Sequence, residues 1–204
     1  MVSSQPSSAA LLTTDPGTDT TTVFTSTGNN GFGNPGPVVL DGFTWTGNPQ
    51  VTFGNTGYGL GSNGVWSPSA NFSWIATNNS DGSITVNLGG LFGLVGGFMN
   101  YSPNSFFPDA TITALAADGV TALETYDLVT LAPISTPGGT NAGAFRGISR
   151  GTNDIGFFRL SGSFILAHTL EIGEPAAVPE PSTLSLIGLG LVGLGAMRKR
   201  RLYS

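Results

Sequence analysis

The six residues Ser83-Ile84-Thr85-Val86-Asn87-Leu88 decide the fold class. Apolar Ile84, Val86 and Leu88 alternate with polar side chains, which is the two-residue period of a half-buried β-strand. Similar short runs recur from residue 20 onward, separated by turn sequences such as Asn-Asn-Ser-Asp-Gly at 78–82. No run before residue 182 has the period of a helix. The sequence therefore predicts an all-β domain, an antiparallel β-sandwich or barrel with little helix.

The chain has about ten β-prone runs, this stretch included, and turn residues lie between them. In the last run, Phe164, Leu166, His168, Leu170 and Ile172 are predicted to share one face. Residues 1–19 are rich in Ser, Thr, Ala and Pro without periodicity, which predicts a disordered lead before the domain. The predicted strands are 20–26, 38–45, 51–53, 71–77, 83–88, 91–101, 110–116, 122–130, 155–161 and 164–172.

Composition and charge exclude several classes of function. The 204 residues include one histidine and no cysteine, which rules out thiolate metal sites, a cysteine nucleophile and a multi-histidine site within the chain. Four of the seven basic residues lie together at 198–201. Residues 1–177 therefore carry three arginines, no lysine and eleven acids, a formal charge of −8. This charge repels phosphate backbones, so nucleic-acid binding is not expected.

The composition changes near residue 174, where we place the end of a β-sandwich domain at 20–173. Residues 174–183 are punctuated by prolines and form a linker that can hold neither a helix nor an inner strand. Residues 184–197 are apolar apart from Ser185 and predict a single transmembrane helix. As a helix they span about 21 Å, which is short of a hydrocarbon core of roughly 30 Å. Counting from Pro181 gives 17 residues, the lower end of the spanning range.

A basic cluster follows the apolar segment directly and supports the membrane interpretation. Arg198, Lys199, Arg200 and Arg201 form a stop-transfer arrangement, and the positive-inside rule places the tail at 198–204 in the cytoplasm. A soluble alternative would bury the apolar segment in a core next to four cations, which is costly. We therefore expect a transient anchor in the inner membrane with the domain outside.

Three features of the tail occur in a characteristic order: Val178-Pro179-Glu180-Pro181-Ser182, a Gly/Leu-rich apolar span, and the terminal basic cluster. This arrangement resembles the PEP-CTERM sorting signal of Gram-negative bacteria, also labelled the ice-binding protein C-terminal domain. The resemblance implies that Pro179, Glu180 and Pro181 are recognised by an exosortase, a membrane-embedded cysteine transpeptidase. It also implies that the chain is the substrate of that enzyme.

The body resembles, less sharply, the jelly-roll sandwiches that precede such tails. The resemblance lies in the Thr-rich opening strand, in segments 145–148 and 155–162, and in the closing strand at 164–172. Those domains often carry aspartates in the closing strand, where this chain has His168 and Thr169. The resemblance therefore does not imply a cation site in this strand. Export also requires an N-terminal signal, which residues 1–19 lack, so we expect that Met1 is not the natural start.

The aromatic residues offer candidate ligand contacts. Trp66 lies in a loop-like sequence, Gly64-Val65-Trp66-Ser67-Pro68, and with Tyr58 it is the candidate for an exposed sugar-binding contact. Trp45 and Trp74 are expected in the core, because Trp45 alternates with threonines as core residues of a strand do. Exposure of Tyr58 and Trp66 on one concave face would favour a carbohydrate-binding module.

Catalytic and metal sites are weakly indicated. His168 with Ser161, Ser163, Asp127 or Asp154 would be needed for a hydrolase, but no Gly-x-Ser-x-Gly elbow is present and His168 lies on the predicted apolar face. Carboxylates next to Gly or Asn are expected to cap turns rather than bind calcium, because no EF-hand spacing occurs. These carboxylates are Asp41, Asp81, Asp118 and Asp154.

The sequence therefore predicts a non-enzymatic protein of the cell surface or envelope that needs no cofactor or metal. We expect an exosortase to sort it through its tail, and we expect an association with exopolysaccharide or biofilm matrix. The alternative is a jelly-roll carbohydrate-binding module, and a hydrolase is the third reading.

Overall fold

A computed structural model describes residues 9–17, 20–24, 31–54, 56–67, 73–77 and 79–174. These residues form short strands with one four-residue α-helix, α1, at Leu128–Leu131 and a 3₁₀ turn at Gly61–Asn63. The strands are β1 Ala10–Leu12, β2 Thr20–Val23, β3 Gly31–Asn34, β4 Val38–Leu40, β5 Phe43–Asn48, β6 Val51–Gly54, β7 Tyr58–Gly59, β8 Val65–Trp66, β9 Trp74–Thr77, β10 Ser83–Phe92, β11 Leu94–Asn100, β12 Thr111–Leu115, β13 Ala122–Asp127, β14 Ala144–Ser149, β15 Ile155–Ser161, β16 Leu166–Ala167 and β17 Thr169–Gly173.

The strands form two main sheets in which every strand pairing is antiparallel. The large sheet has nine strands in the order β1-β14-β11-β16-β9-β6-β3, and β17 joins it by pairing with β11 and β2. The small sheet has the order β13-β12-β15-β10-β5-β4, and β7 and β8 form a separate two-stranded ribbon. The prediction of an all-β, antiparallel domain with little helix is confirmed, whereas the jelly-roll connectivity stays an expectation.

The two sheets share one core. Ile84 and Val86 of β10 face it from the small sheet, and Val95 and Ile148 face it from the large sheet. All four side chains are fully buried. The predicted alternation at 83–88 is confirmed, because Leu88 is buried in the same cluster while Asn87 is exposed. This two-layer packing is that of a β-sandwich.

A second apolar cluster lies on the other face of the large sheet. Along β9, Ile75 belongs to the shared core, whereas Trp74 and Ala76 belong to this second cluster. Tyr58 of β7 and Trp66 of β8 pack into it from outside. The β7–β8 ribbon therefore covers part of the outer face of the large sheet.

The first nineteen residues are not all an unstructured lead. Ala10, Leu11 and Leu12 form β1, which pairs with Ser149, Ile148 and Gly147 of β14. Leu11 also packs against the shared core. The prediction of disorder is therefore wrong for β1, because an otherwise free sheet edge offers hydrogen bonds to a run too short to show a period.

Two predicted strands divide at turn or cap residues. The run at 38–45 becomes β4 and β5, because Asp41 and Gly42 have φ values of 48° and 87° and form a two-residue hairpin turn. The run at 122–130 ends at Asp127, whose carboxylate accepts hydrogen bonds from Val129 N and Thr130 N at 2.8 and 3.2 Å. This is the N-cap of α1.

The closing run changes face at His168. Before it, Ile165 and Ala167 face the shared core, whereas after it Leu170 and Ile172 do so. The inward positions thus move by one residue, and Leu166 belongs to the second cluster instead. The prediction of one continuous face from Phe164 to Ile172 is wrong, because β16 and β17 pair with different neighbours, β9 and β2.

Candidate functional site

The predicted sorting motif lies beyond the part of the chain that the structure describes, which ends at Glu174. Outside it are Val178, Pro179, Glu180, Pro181 and Ser182, the apolar segment 184–197, and Arg198, Lys199, Arg200 and Arg201. Among the described residues, no helix combines the length and apolarity needed to cross a membrane.

The strand that leads into the tail is firmly held. β17 pairs with β11 on one side and β2 on the other. Gly173 O accepts a hydrogen bond from Gly93 N at 3.0 Å, and Glu174 Oε2 accepts one from Asn153 Nδ2 at 2.7 Å. In sequence, three residues separate Glu174 from Val178, where the predicted motif begins.

Tyr58 and Trp66 are buried, so the expected exposed sugar contact is not present at these residues. They are 9% and 4% exposed, and the Tyr58 ring lies 4.7 Å from that of Trp74. The Tyr58 hydroxyl donates to Thr77 O, and burial raises the pKa of this phenol. Trp45 and Trp74 are fully buried, as predicted. The loop-like sequence around Trp66 misled the prediction because it forms a ribbon packed against the sheet.

His168 is half-buried at the point where β16 ends and β17 begins. Its Nδ1 lies 3.0 Å from Ser73 O, which can only accept a hydrogen bond, so Nδ1 is the donor. The ring centroid is 5.3 Å from that of Trp66. Ser163, one of the serines considered for a hydrolase, donates its hydroxyl to Pro108 O at 2.7 Å. These contacts connect strands and loops rather than forming a nucleophile and base pair.

The turn carboxylates are engaged in local hydrogen bonds. Asp118 accepts from Thr121 Oγ1 at 2.6 Å and from the backbone N of Val120 and Thr121 at 2.9 and 2.8 Å. The Thr121 hydroxyl in particular lowers the pKa of Asp118. Within the described ranges, no group of three His, Cys, Asp or Glu side chains could hold a metal ion. These contacts agree with the predicted turn-capping role of Asp118.

The three arginines of the body occupy three different environments. Arg146 is 7% exposed and donates to the carbonyl oxygens of Ala132, Pro133, Phe145 and Thr13, at 2.8, 3.0, 2.6 and 3.4 Å. Burial lowers the pKa of its guanidinium.

Arg150 instead bridges two carboxylates. Its Nε and Nη2 donate to Asp154 at 2.7 and 2.8 Å, and its Nη1 donates to Glu124 at 2.8 Å. The hydrogen bonds to Asp154 raise the pKa of the guanidinium, and they lower the pKa of that carboxyl. The third arginine, Arg159, is half-buried on the outer face of the small sheet, where its Nε donates to Thr85 Oγ1 at 3.1 Å.

Two surface cavities were not apparent from the sequence. One of about 350 Å³ lies beside Asn104, Asp109 and Ser163. The other, of about 270 Å³, lies beside Asn87, Leu91 and Phe157 on the small sheet. Sequence patterns could not reveal them, because each combines residues distant along the chain.

Comparison with known proteins identifies the tail. Residues 177–201 match the family described as the PEP-CTERM protein-sorting motif, which confirms the motif predicted from the sequence. No curated protein and no solved structure matches the chain. The sorting signal implies export to the cell envelope and processing by an exosortase, a membrane enzyme. The match does not extend into the β domain.

Proposed function

We propose that the chain, through the PEP-CTERM signal at residues 177–201, is an exosortase substrate and a non-enzymatic component of the bacterial envelope. The match of this segment to the sorting motif is the observation that carries the proposal. The β domain is the exported cargo, and residues 198–201 remain on the cytoplasmic side of the inner membrane until the tail is removed.

The chemistry of the motif supports recognition by a transpeptidase. Pro179 and Pro181 each fix their own φ, and each disfavours a helical conformation of the residue before it. Residues 178–182 are therefore biased toward an extended backbone, which is the form that a protease-like active site accepts. Glu180 gives this segment one charge in an otherwise uncharged sequence. An exosortase can recognise this carboxylate between the two prolines.

The composition of the β domain supports a passive extracellular role. Residues 1–177 carry no lysine, few charges and many Ser, Thr, Asn and Gly residues. Such a surface offers neutral hydrogen-bonding groups to polyhydroxylated partners, and we propose extracellular polysaccharide as the partner. Tyr58 and Trp66 cannot supply its contact surface, because both are buried. A carbohydrate-binding module therefore needs a different surface.

The test is the mass of the mature protein in cells with and without an exosortase. The chain is expressed behind an added cleavable export signal, as wild type, Glu180→Ala and Glu174→Ala. The Glu174→Ala control removes a carboxylate six residues before Glu180 and outside the matched segment.

We expect wild type and Glu174→Ala to lose the tail only in cells that contain the exosortase. The Glu180→Ala protein should retain the tail at least about tenfold longer, because it lacks the carboxylate that we propose the exosortase recognises. If wild-type protein ending at Ser204 accumulates equally in both strains, the tail is a permanent anchor and the proposal is wrong.

A further inference from the structure

The outer face of the small sheet carries a cavity that a strand irregularity creates. Asn87 pairs with Phe157, and the next pair along β10 and β15 is Phe92 with Ile155. Between these pairs β10 advances five residues while β15 advances two, so three extra residues bulge away from the partner strand. The resulting cavity of about 270 Å³ is lined by Asn87, Gly90, Leu91, Ala117, Gly156 and Phe157.

The lining combines an apolar surface with an amide. The turn at Gly119 packs on the Phe157 ring, since a Cβ placed at Gly119 would lie 3.2 Å from Phe157 Cζ. Leu91 is 50% exposed, although it is a large apolar side chain. Asn87 Oδ1 accepts a hydrogen bond from Gly89 N at 2.9 Å, which leaves the Nδ2 group as a donor. An aromatic ring, an aliphatic side chain and an amide donor thus surround one small cavity.

Arg159 is not among the residues that line the cavity, but it is the next outward-facing residue after Phe157 on β15. Arg159 follows Phe157 by two residues on β15, so both side chains lie on the same outer face, roughly 6.6 Å apart along the strand. The hydrogen bond from Nε to Thr85 Oγ1 fixes the guanidinium. Within the described residues, no hydrogen bond or ion pair engages Nη1 or Nη2. This fork matches the two oxygens of a carboxylate.

We infer that the cavity and Arg159 form a binding site for a carboxylate-bearing sugar unit, a uronate residue of an acidic polysaccharide. The apolar face of the sugar ring packs on Phe157 and Leu91, and a ring hydroxyl accepts from Asn87 Nδ2. The carboxylate accepts hydrogen bonds from Nη1 and Nη2 of Arg159. The inference rests on the proposed association with extracellular polysaccharide, and it is independent of the cleavage of the tail.

Size and charge favour this ligand over other anions. The cavity is smaller than the roughly 300–1,000 Å³ of sites for drug-sized ligands, which suits a single sugar ring. A body with a formal charge of −8 opposes the binding of any long polyanion, so the site is inferred for one uronate unit whose single charge Arg159 contacts directly. Across the sheet, the residues in the row through Arg159 are neutral threonines, so no carboxylate in that row opposes the bound anion; they are Thr46, Thr85, Thr113 and Thr125.

The experiment measures binding of trigalacturonate and of its methyl ester by titration calorimetry at low salt. The full chain is kept in a polyoxyethylene detergent, because a sugar-based detergent would compete. Wild type is compared with Arg159→Gln and with Phe106→Glu. The second variant makes the same change in net charge at a side chain that is 90% exposed and outside the site. Melting curves verify that both variants are folded.

We expect saturable binding of trigalacturonate to wild type and to Phe106→Glu, and binding at least about tenfold weaker to Arg159→Gln. The methyl ester should bind wild type and Arg159→Gln with the same low affinity. The site would be overturned if trigalacturonate bound wild type and Arg159→Gln with equal affinity. It would also be overturned if Phe106→Glu lost as much affinity as Arg159→Gln, or if wild type showed no saturable binding. The exosortase test would be unaffected by these results, so the two proposals fail separately.

Discussion

At the scale of single residues, Arg146 is a buried charge held by backbone carbonyl oxygens. Its guanidinium donates hydrogen bonds to the carbonyl oxygens of Ala132, Pro133 and Phe145. Ala132 and Pro133 follow α1, whereas Phe145 lies on β14, so Arg146 joins a loop to the large sheet. A buried cation that donates to several buried acceptors is costly to remove, because an acceptor that is left buried without a partner costs free energy.

Replacing Arg146 with methionine should destabilise the domain by about 2–4 kcal/mol, because methionine keeps most of the buried volume but donates no hydrogen bond. The measurement is the free energy of unfolding in urea. Arg159→Met is the matched control, and it should change that free energy by no more than about 0.5 kcal/mol, since Arg159 lies on the outer face. Similar losses in both variants would show that the buried contacts of Arg146 contribute little.

At the scale of elements, the β7–β8 ribbon depends on close backbone contact with the loop at 136–141. Val65 N donates to Gly139 O at 2.9 Å, and Asn141 N donates to Val65 O at 3.1 Å. Gly64 sits at the start of this contact with a φ of 91°, and a Cβ there would meet the backbone of Gly139. Asn63 adds hydrogen bonds from Nδ2 to Asn100 Oδ1 and to the carbonyl oxygens of Tyr101 and Ile134.

Gly64→Ala should therefore cost at least about 2 kcal/mol more in unfolding free energy than Gly138→Ala. Gly138 also has a positive φ, 64°, but a Cβ there meets nothing within 4 Å. Its substitution carries only the cost of the left-handed backbone, about 1 kcal/mol. Urea unfolding measures both variants, and near-ultraviolet circular dichroism, to which Trp66 contributes together with Trp45 and Trp74, reports changes in aromatic packing. If both substitutions lowered the free energy of unfolding equally, the ribbon backbone would have shifted to accommodate the added methyl group.

At the scale of the whole molecule, the described residues form an extended apolar core among themselves. Its apolar residues run from Phe24 to Ile172, and β17 is paired on both sides. Both core clusters are formed by described residues, and burial of their apolar side chains stabilises the two packed sheets. We therefore expect the domain to fold without residues 184–197, for which the sequence predicts a membrane segment.

Truncation after residue 177 should give a protein that is soluble without detergent and unfolds in one cooperative thermal transition. The measurements are gel filtration and a melting curve followed by circular dichroism. Truncation after Thr169 is the control, since it removes Leu170 and Ile172 from the core and should abolish the cooperative transition. If the longer fragment aggregates or melts without cooperativity, the tail is part of the fold.

The sequence alone determined the fold class and the sorting signal, because both are local patterns. The alternation of Ile84, Val86 and Leu88 specifies a strand with one buried face, wherever its partners lie. The pair Asp41–Gly42 is also a local turn sequence, although the strand predicted at 38–45 runs through it. The motif at 177–201 is read by an enzyme as a linear segment, so its information is entirely in the order of residues.

Tertiary structure decided what depends on partners distant in sequence. Ala10–Leu12 is a strand because β14 offers an open edge, and the face of the closing run shifts at His168 because its two halves pair with different strands. Trp66 is buried because the large sheet has an apolar outer face to cover. The cavity beside Arg159 exists because β10 carries three more residues than β15 between two pairs. Pairing and burial are collective properties of packed strands, and no local period records them.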